Sequence, residues 1–289
     1  MRAGLMVLIT LLLAPALAAA AEPVPTFTYE PFADAPSMNP QIANGVEFNL
    51  GRLSEVSVRG MFIAPARMDH SAHPAVLWVH WLGEPATTNH TEFAADAQAL
   101  AAHGVVSMLV DMPWSAPDWF STGRAPAGDS ADTIAEVIAL RRALDVLATS
   151  PRVDPSRIAY VGHDFGAMDG ALLLAVDSRP RYAVLITPTL SFWEWFLLGA
   201  QPDDSAAYVD RMSVFDLPPW LARGHQRATL LQFGRNDIYV SRATASAFRN
   251  ALPDRDRSFK MYDADHALDI PAAHDDRRAW LLAHFGLTP

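Results

Sequence analysis

Residues 157–167 of the chain read Arg-Ile-Ala-Tyr-Val-Gly-His-Asp-Phe-Gly-Ala, with an aspartate midway between two glycines. The apolar run before Gly162 is typical of a buried strand, and the run after Gly166 is typical of a helix. Because glycine lacks a Cβ atom, Gly162 and Gly166 let the strand and the helix approach closely, which pushes the side chain between them out above the sheet edge. The stretch therefore predicts a sharp strand-to-helix turn that displays Asp164.

A turn of this kind also offers a purely structural role for Asp164. An aspartate that precedes a helix often accepts hydrogen bonds from the first free backbone N–H groups and so caps the helix. The same N–H groups favour the negative charge of a reactive carboxylate at this position. The turn alone leaves both roles open, and residues elsewhere in the chain bear on the choice.

Two polar residues follow predicted strands later in the chain. Asp237 ends one strand, and His266 comes shortly after the last strand. Because the carboxyl ends of parallel strands meet at one edge of a sheet, we expect Asp164, Asp237 and His266 to converge there within hydrogen-bonding reach. His266 would act as a general base, and Asp237 would orient its imidazole. Asp263 and Asp265 are alternative acids, although their closeness to His266 in the sequence makes the geometry harder.

The turn lies within a regular alternation of predicted strands and helices. Apolar runs and alternating patterns predict strands at residues 46–50, 55–63, 75–80, 105–110, 158–161, 182–186, 229–233 and 258–262. Alanine-rich and amphipathic stretches predict helices at residues 90–103, 130–149, 165–176, 242–252 and 272–285. This order predicts an α/β fold with a mostly parallel central sheet and helices on both faces.

One irregular stretch interrupts this alternation. Residues 188–224 follow the strand at 182–186 and are rich in aromatic side chains. We interpret them as a short cap insertion, because no clean boundary marks them as a separate domain. The chain from residue 22 to residue 289 is therefore predicted to be a single domain.

The N-terminal residues have the composition of a signal peptide. Arg2 is followed by a short apolar run at residues 5–13 and by small residues at 18–21, which suit cleavage before Glu22. The apolar run is shorter than a membrane-spanning helix requires. We therefore predict that residues 1–21 are removed, that no stable membrane insertion follows, and that the protein is exported to a bacterial periplasm or the medium.

The composition limits the partners and cofactors to consider. The chain carries a formal net charge of −10 and one lysine, Lys260, and it lacks the basic run that nucleic-acid binding needs. The absence of cysteine removes disulfides, cysteine nucleophiles and thiolate metal sites. The sequence contains no phosphate-loop or dinucleotide signature and no convincing set of metal ligands. We therefore expect a small-molecule substrate, no nucleic-acid partner, and no metal or other cofactor.

With its aspartate turn, acid and histidine in this order, the chain resembles the α/β-hydrolase superfamily from residue 46 to the C-terminus. The pieces Val-Asp-Pro-Ser-Arg at 153–157 and Gly-Arg-Asn-Asp at 234–237 are similar to the dienelactone hydrolase and acetyl xylan esterase branch. The Gly-His-Asp-x-Gly turn instead resembles haloalkane dehalogenases and epoxide hydrolases. The resemblance implies an α/β-hydrolase fold in which Asp164 is the nucleophile.

The same resemblance suggests where an oxyanion would be bound. The superfamily carries His-Gly after its first core strand, whereas this chain reads His80-Trp-Leu-Gly83. The resemblance implies that the backbone N–H groups of Trp81 or Leu82, together with that of Phe165, form the oxyanion hole.

An aspartate at the nucleophile position changes the expected chemistry. A carboxylate that attacks an sp³ carbon bearing a halide or an epoxide oxygen leaves an ordinary alkyl ester. Water activated by His266 can then hydrolyse this ester at the carbonyl of Asp164. We therefore expect a hydrolase that opens a carbon–halogen or epoxide bond. One alternative is an esterase or dienelactone hydrolase-like enzyme with Asp164 as general base, and another is a catalytically silent scaffold.

Aromatic residues supply candidates for the substrate pocket. A leaving halide needs N–H donors, which the indoles of Trp81, Trp193 or Trp195 could provide, and a leaving epoxide oxygen needs an acid such as the phenol of Tyr208 or Tyr239. An apolar lid over the site and simple packing of the insertion are equally compatible with these residues. The predicted pocket residues are Trp114, Trp119, Trp193, Trp195, Tyr208 and Tyr239.

Overall fold

The computed structural model describes residues 24–30, 38–53, 56–84, 87–254 and 256–288. The predicted signal peptide, residues 1–21, lies outside these described ranges. Within them, no helix has the length and apolar character needed to cross a membrane.

A mixed sheet, with eight strands among the described residues, forms the centre of the protein. The strands are β1 (Glu47–Leu53), β2 (Val56–Ile63), β3 (His73–Val79), β4 (Val106–Asp111), β5 (Val153–His163), β6 (Pro180–Ile186), β7 (Ala228–Gly234) and β8 (Asp256–Tyr262). Their spatial order is β1-β2-β4-β3-β5-β6-β7-β8, and β2 runs antiparallel to both of its neighbours. The remaining pairs are parallel, which confirms the predicted mostly parallel sheet.

Helices cover both faces of the sheet, as predicted. They are α1 (Ala94–Ala101), α2 (Asp129–Thr149), α3 (Phe165–Val176), α4 (Phe192–Phe196), α5 (Ser205–Met212), α6 (Leu217–Leu221), α7 (Arg242–Ala251) and α8 (Pro271–Phe285). One apolar core contains residues of α1 and α8, and the other contains residues of α2, α3 and α7. The two-sided cover explains why β3 and β4 are buried along their whole lengths.

Two elements differ from the prediction in a physically simple way. The stretch at 90–103 begins with a 3-10 turn, His90–Phe93, before α1, and the side chain of Asn89 accepts a hydrogen bond from the Thr91 N–H. Strand β5 begins at Val153, five residues before the predicted strand at 158. Its early residues are polar and partly exposed, and the Asp154 carboxylate accepts hydrogen bonds from Ser156. An apolar pattern cannot reveal such residues.

The predicted cap insertion forms three short helices, α4 to α6, between β6 and β7. Arg124, from the loop after β4, joins this insertion to the body of the protein. Its guanidinium donates hydrogen bonds to the carbonyl oxygens of Phe196 and Ala200, and it pairs with the carboxylate of Asp129. The Tyr208 hydroxyl of α5 donates to the same carboxylate. A buried charged cluster therefore fastens the insertion from below.

Candidate active site

The turn between β5 and α3 has the close approach that its glycines predict. A Cβ atom on Gly162 would lie 2.3 Å from the carbonyl oxygen of Gly166. A Cβ atom on Gly166 would lie 2.4 Å from the carbonyl oxygen of Val79 in β3. Between them Asp164 has φ 53° and ψ −115°, an unfavourable conformation for a residue with a side chain. The surrounding packing thus holds Asp164 in a strained turn at the carboxyl edge of the sheet.

The Asp164 side chain makes no capping hydrogen bond to α3, so the capping interpretation is wrong. The backbone of Asp164 is nevertheless fully engaged. Its N–H donates to the carbonyl oxygen of Ile186, and its carbonyl oxygen accepts from the N–H groups of Ala167 and Met168. The carboxylate is therefore available for interactions outside the helix.

The structure brings Asp237 and His266 together with Asp164. The Nδ1 atom of His266 lies 2.7 Å from Oδ2 of Asp237, within hydrogen-bonding distance. The other oxygen of Asp237 accepts from the backbone N–H groups of Tyr239 and Val240, at 2.8 and 2.9 Å. The Nε2 atom of His266 lies 3.7 Å from Oδ1 of Asp164, which is longer than a hydrogen bond. The three side chains converge as expected, but Asp164 and His266 are slightly too far apart for the expected hydrogen bond.

The two alternative acids have other partners. Asp263 accepts a hydrogen bond from the side-chain amide of Asn236, at 2.8 Å. Asp265 accepts from the backbone N–H of Ala267, at 3.2 Å. The structure therefore places Asp237, rather than either of these residues, on the His266 ring.

The two carboxylates change the proton affinity of His266. Burial by itself would lower the pKa of this imidazole, but Asp164 and Asp237 outweigh that effect and raise the pKa to about 9. Burial would raise the pKa of Asp237, yet His266 and the backbone N–H donors bring it below its usual value. At neutral pH the His266 ring is therefore protonated on both nitrogens.

Of the expected oxyanion donors, Leu82 is the one that reaches Asp164. Its backbone N–H donates to Oδ2 of Asp164 at 3.2 Å. Of the two alternatives, Trp81 is the wrong one, because the Trp81 N–H donates to the Glu92 carboxylate at 2.8 Å. Phe165 is the first residue of α3, so its N–H has no acceptor within the helix and stays a candidate donor.

Gly83, at the end of the turn after His80, packs tightly against Trp81. A Cβ atom on Gly83 would lie 2.2 Å from the indole of Trp81, which folds back over this residue. His80 itself supports the turn, because its Nδ1 lies 2.8 Å from the Trp81 carbonyl oxygen and its Nε2 accepts the Met112 N–H. These partners require a proton on Nδ1 alone, and burial lowers the pKa of His80 accordingly.

Three buried polar atoms near these side chains lack a hydrogen-bond partner among the described residues. They are Oδ1 of Asp164, Nε2 of His266 and the indole Nε1 of Trp195. The Trp195 ring lies 5.4 Å from the His266 ring and 6.0 Å from the Phe165 ring. Buried polar atoms are rarely unpaired in folded proteins, so these atoms suit contacts with a substrate and with water.

A cavity of 690 Å³ lies above His266 and Leu82. Most of its walls are apolar or aromatic, formed by Trp81, Leu82, Phe120, Trp195, Leu198, Ile238 and Tyr239. Glu84 and Asp265 add two carboxylates to the lining, and none of the described residues that form it is a lysine or arginine. Asp164 is fully buried beneath this cavity, so side chains of the lining must move for a substrate to reach it.

Two of the predicted pocket residues, Trp195 and Tyr239, line this cavity. The Tyr239 ring lies edge-on to the His266 ring, with 5.3 Å between the centroids. Among the cavity residues that sequence reasoning missed are Glu84, Leu198 and Ile238. Each lies within three residues of a predicted site residue, a signal that could have found them.

The other four predicted pocket residues do not line this cavity. The buried Trp114 donates its indole N–H to the carbonyl oxygen of His80, and Trp193 donates its own to Asp216. Trp119 packs edge-on against the ring of Phe165. These side chains support the elements around the site, because their polar groups already have partners or their rings fill the apolar interior.

Tyr208 is the fourth of these residues, and its predicted role as an acid is wrong. Its hydroxyl donates to Asp129 in the charged cluster beneath the insertion. Burial and that carboxylate together raise the pKa of the Tyr208 phenol well above its usual value. No group of three or more histidine, aspartate or glutamate side chains in the described ranges is arranged to hold a metal ion.

Sequence comparisons give no match, either with family models or with curated proteins. The structure is similar to an acetyl xylan esterase from Paenibacillus sp. R4, with a TM-score of 0.63, 20% identity, and coverage of 79% of this chain and 80% of the other. A cold-adapted esterase from an Arctic intertidal metagenomic library gives a TM-score of 0.60, 17% identity and coverage of 83% and 92%. For Est1E from Butyrivibrio proteoclasticus, the TM-score is 0.60 and the identity 12%, with coverage of 80% of this chain and 96% of the other. The protein therefore has the α/β-hydrolase fold.

Proposed function

We propose that the protein is a hydrolase that opens a carbon–halogen or epoxide bond through a covalent ester on Asp164. The observation that carries this proposal is the difference between the two oxygens of one carboxylate. Oδ2 accepts the Leu82 N–H, whereas Oδ1 has no partner among the described residues and faces His266. One oxygen is thus held as an oxyanion would be, and the other is free to attack.

In the first step, Oδ1 of Asp164 forms a bond to an sp³ carbon of the substrate. The bond from that carbon to the halogen breaks, and the halide leaves with the electron pair. With an epoxide, the ring C–O bond breaks instead and the oxygen takes up a proton. The product of this step is an alkyl ester of Asp164, which has lost its negative charge.

In the second step, water gives a proton to Nε2 of His266 and attacks the Cγ atom of the ester. Negative charge then develops on Oδ2, which already lies beside the Leu82 N–H. As this intermediate collapses, the bond from Cγ to the former Oδ1 breaks, and the departing oxygen takes the proton from Nε2 of His266 and leaves as the alcohol. The water oxygen remains in the Asp164 carboxyl group, whose proton passes to His266 and restores the carboxylate. Asp237 keeps the imidazole oriented throughout, through its bond to Nδ1.

The raised pKa of His266 supports this order of events. With two carboxylates beside it, the imidazole is protonated at neutral pH and cannot act as a base. Formation of the ester removes the charge of Asp164, which lowers the pKa of His266 and allows loss of its proton. The base is thus produced by the first step, when it is needed for the second.

The indoles near the site differ in their ability to stabilise a leaving group. Trp81 donates to the hydroxyl of Thr87, and Trp193 donates to Asp216. The indole N–H of Trp195 is buried and has no partner in the described part of the chain. We therefore assign Trp195 as the donor to a leaving halide, and Tyr239 at the cavity wall as the acid for an epoxide oxygen.

The cavity favours substrates that are apolar and not anionic. Leu198, Ile238 and Tyr239 are exposed apolar side chains that border the cavity, and Glu84 and Asp265 repel negative charge. Small halides and epoxides without a carboxylate or phosphate fit these walls.

Intact-protein mass spectrometry of the His266→Gln variant tests the covalent step. The variant is incubated with separate pools of haloalkanes, epoxides and esters, each with neutral and anionic members of equal length. Without the base the second step stalls, so we expect an added alkyl mass that maps to Asp164, from neutral members first. The double variant Asp164→Asn/His266→Gln is the control and should gain no mass. An unmodified Asp164 in every pool would overturn the covalent route.

Isotope labelling of the wild-type enzyme separates a nucleophile from a general base. During repeated turnover in H₂¹⁸O, hydrolysis of an Asp164 ester places ¹⁸O in the Asp164 carboxylate. A general base only passes protons and leaves the carboxylate unlabelled. Turnover without label at Asp164 would therefore assign the base role.

A second candidate function is ester hydrolysis with Asp164 as the general base. The free Oδ1 of Asp164 supports it, because a water held at this atom could be deprotonated there. The Asp164→Ser variant tests the oxyanion geometry of this candidate. Gain of esterase activity would indicate that the Leu82 N–H can serve an acyl intermediate. Loss of all activity would favour the dedicated carboxylate route, and an inactive wild type would favour a silent scaffold.

A further inference from the structure

We propose that Glu92 and His163 are positioning residues that join the oxyanion turn to the loop of the base. Neither side chain has a hydrogen bond to the Asp164 carboxylate or lines the cavity, and both act through the backbones of Trp81 and His266. The kinetic part of this inference rests on the proposed function, whereas the structural part stands without it.

The hydrogen bonds of His163 define its role. Its side chain is almost fully buried, with Nδ1 2.6 Å from the Glu92 carboxylate and Nε2 3.0 Å from the His266 carbonyl oxygen. A carboxylate and a carbonyl oxygen both accept hydrogen bonds, so each ring nitrogen must donate. A ring that donates from both nitrogens is an imidazolium, whose charge is balanced by Glu92.

Glu92 uses both of its oxygens in this arrangement. Oε1 faces His163, and Oε2 accepts the Trp81 N–H at 2.8 Å. The 3-10 turn that carries Glu92 is itself anchored, because both the backbone N–H and the ring Nδ1 of His90 contact Asp111 at the end of β4. The carboxylate is therefore held between two fixed backbone segments.

The hydrogen bond from the Trp81 N–H to Glu92 decides which backbone N–H faces Asp164. Three successive backbone N–H groups have three different side-chain acceptors: Trp81 donates to Glu92, Leu82 to Asp164, and Gly83 to the hydroxyl of Thr88. Since neighbouring peptide planes share a Cα atom, the direction of the Trp81 N–H limits the direction of the Leu82 N–H. Glu92 thereby aims the oxyanion donor.

His163, the second member of the pair, supports the loop that carries His266. The bond from His163 to the His266 carbonyl oxygen holds the backbone from which the catalytic imidazole projects. The Trp81 indole also stacks on the His163 ring, with 4.9 Å between centroids and 7° between planes. Trp81, which precedes the donor Leu82, and the backbone of His266 are consequently both held by the Glu92–His163 pair, which limits changes in their separation.

The test compares Glu92→Ala and Glu92→Gln with the control Glu47→Ala. Glu47 is exposed and lies 3.6 Å from His90, so its removal alters charge near the same turn without touching Trp81 or His163. We expect Glu92→Ala to lower kcat by about 10- to 100-fold with little change in KM, since the misaimed donor acts in the second step. Glu92→Gln keeps one acceptor for Trp81 and should recover part of the loss. An unchanged kcat in Glu92→Ala would overturn the proposal.

A second measurement does not depend on turnover. Nuclear magnetic resonance of ¹⁵N-labelled protein should show protons on both ring nitrogens of His163, and a shift of the Leu82 amide signal in Glu92→Ala but not in Glu47→Ala. A His163 ring with one proton, or an unmoved Leu82 signal, would refute the pair. If these signals behave as expected while no substrate is turned over, the proposed function fails and the positioning role stands.

Discussion

The floor and the roof of the candidate site are built by different forces. The floor consists of the turn at residues 80–84, the turn around Asp164 and the loop around His266. Its backbone N–H groups are paired with particular side-chain oxygens, such as those of Glu92 and Asp164. The roof is the cap insertion, residues 188–224, whose aromatic side chains mainly pack against apolar neighbours. Hydrogen bonds are directional and aromatic packing is much less so.

This difference separates the chemistry from the choice of substrate. In the proposed mechanism, charge that develops on Asp164 needs a donor at a fixed position, and the Leu82 N–H in the floor lies where it could serve. The proposed function asks the roof to exclude water and to accept an apolar molecule, and shape suffices for both. Changes in the floor should therefore reduce the rate, and most changes in the roof should alter substrate preference or stability.

The Asp164→Asn variant should show the largest effect of any change at the site. An amide is a far weaker nucleophile than a carboxylate, so we expect turnover to fall by at least about 10³-fold. Steady-state kinetics on a substrate found by mass spectrometry would measure the loss. Asp254→Asn, at an exposed carboxylate before β8, is the control and should retain wild-type turnover. Activity in Asp164→Asn within tenfold of the wild type would contradict a floor built around this carboxylate.

Arg124→Met should be the most damaging change to the support of the roof. It leaves the buried Asp129 without its cation, which typically costs about 3–5 kcal/mol in the free energy of unfolding. Chemical denaturation would measure the change. The matched control is Arg223→Met on the same insertion, where the guanidinium is exposed over Trp220 and a loss of about 0.5 kcal/mol or less is expected. Equal losses in both variants would show that the charged cluster does not fasten the roof.

Trp195→Phe tests the one polar contribution that the roof is expected to make to the chemistry. The ring is kept and the N–H is lost, so we expect alkyl-enzyme formation from haloalkanes to slow by about 10²-fold. Rapid-quench mass spectrometry on the His266→Gln background would follow the ester. Trp193→Phe is the control, because that indole donates to Asp216 and does not line the cavity. A similar rate in both variants would remove Trp195 from the mechanism.

The smallest expected effect is a shift in the titration of His266. Its raised pKa stabilises the fold fully below the unfolded value of about 6.5, and this contribution disappears as the pH rises through about 9. In Asp164→Asn one carboxylate is gone, so the pKa of His266 should fall and the loss of stability should occur at lower pH. Imidazole ¹⁵N shifts and thermal unfolding from pH 6 to 10 would report both. An unchanged pKa would mean that Asp237 alone sets it.

The residues of the floor were easier to predict from the sequence than those of the roof. Two glycines around Asp164 sufficed to predict the strained turn, since their spacing reflects a steric need that any sequence with this turn must meet. The placement of Asp237 and His266 after strands sufficed to predict that they meet Asp164 at one sheet edge. The same reasoning could not identify Glu92. Its partners Trp81 and His163 lie on other elements of the chain, and they meet Glu92 only in the folded structure.

By itself, the sequence determined the mostly parallel sheet, the turn at Asp164 and the convergence of three side chains, because these follow from periodicity, glycine sterics and strand direction. The tertiary structure alone decided that Leu82 and not Trp81 faces Asp164, and that Trp195 rather than Trp114 or Trp193 borders the cavity. Those choices depend on which acceptor lies within about 3 Å of each N–H group. Such distances arise only when segments remote in the chain are packed together.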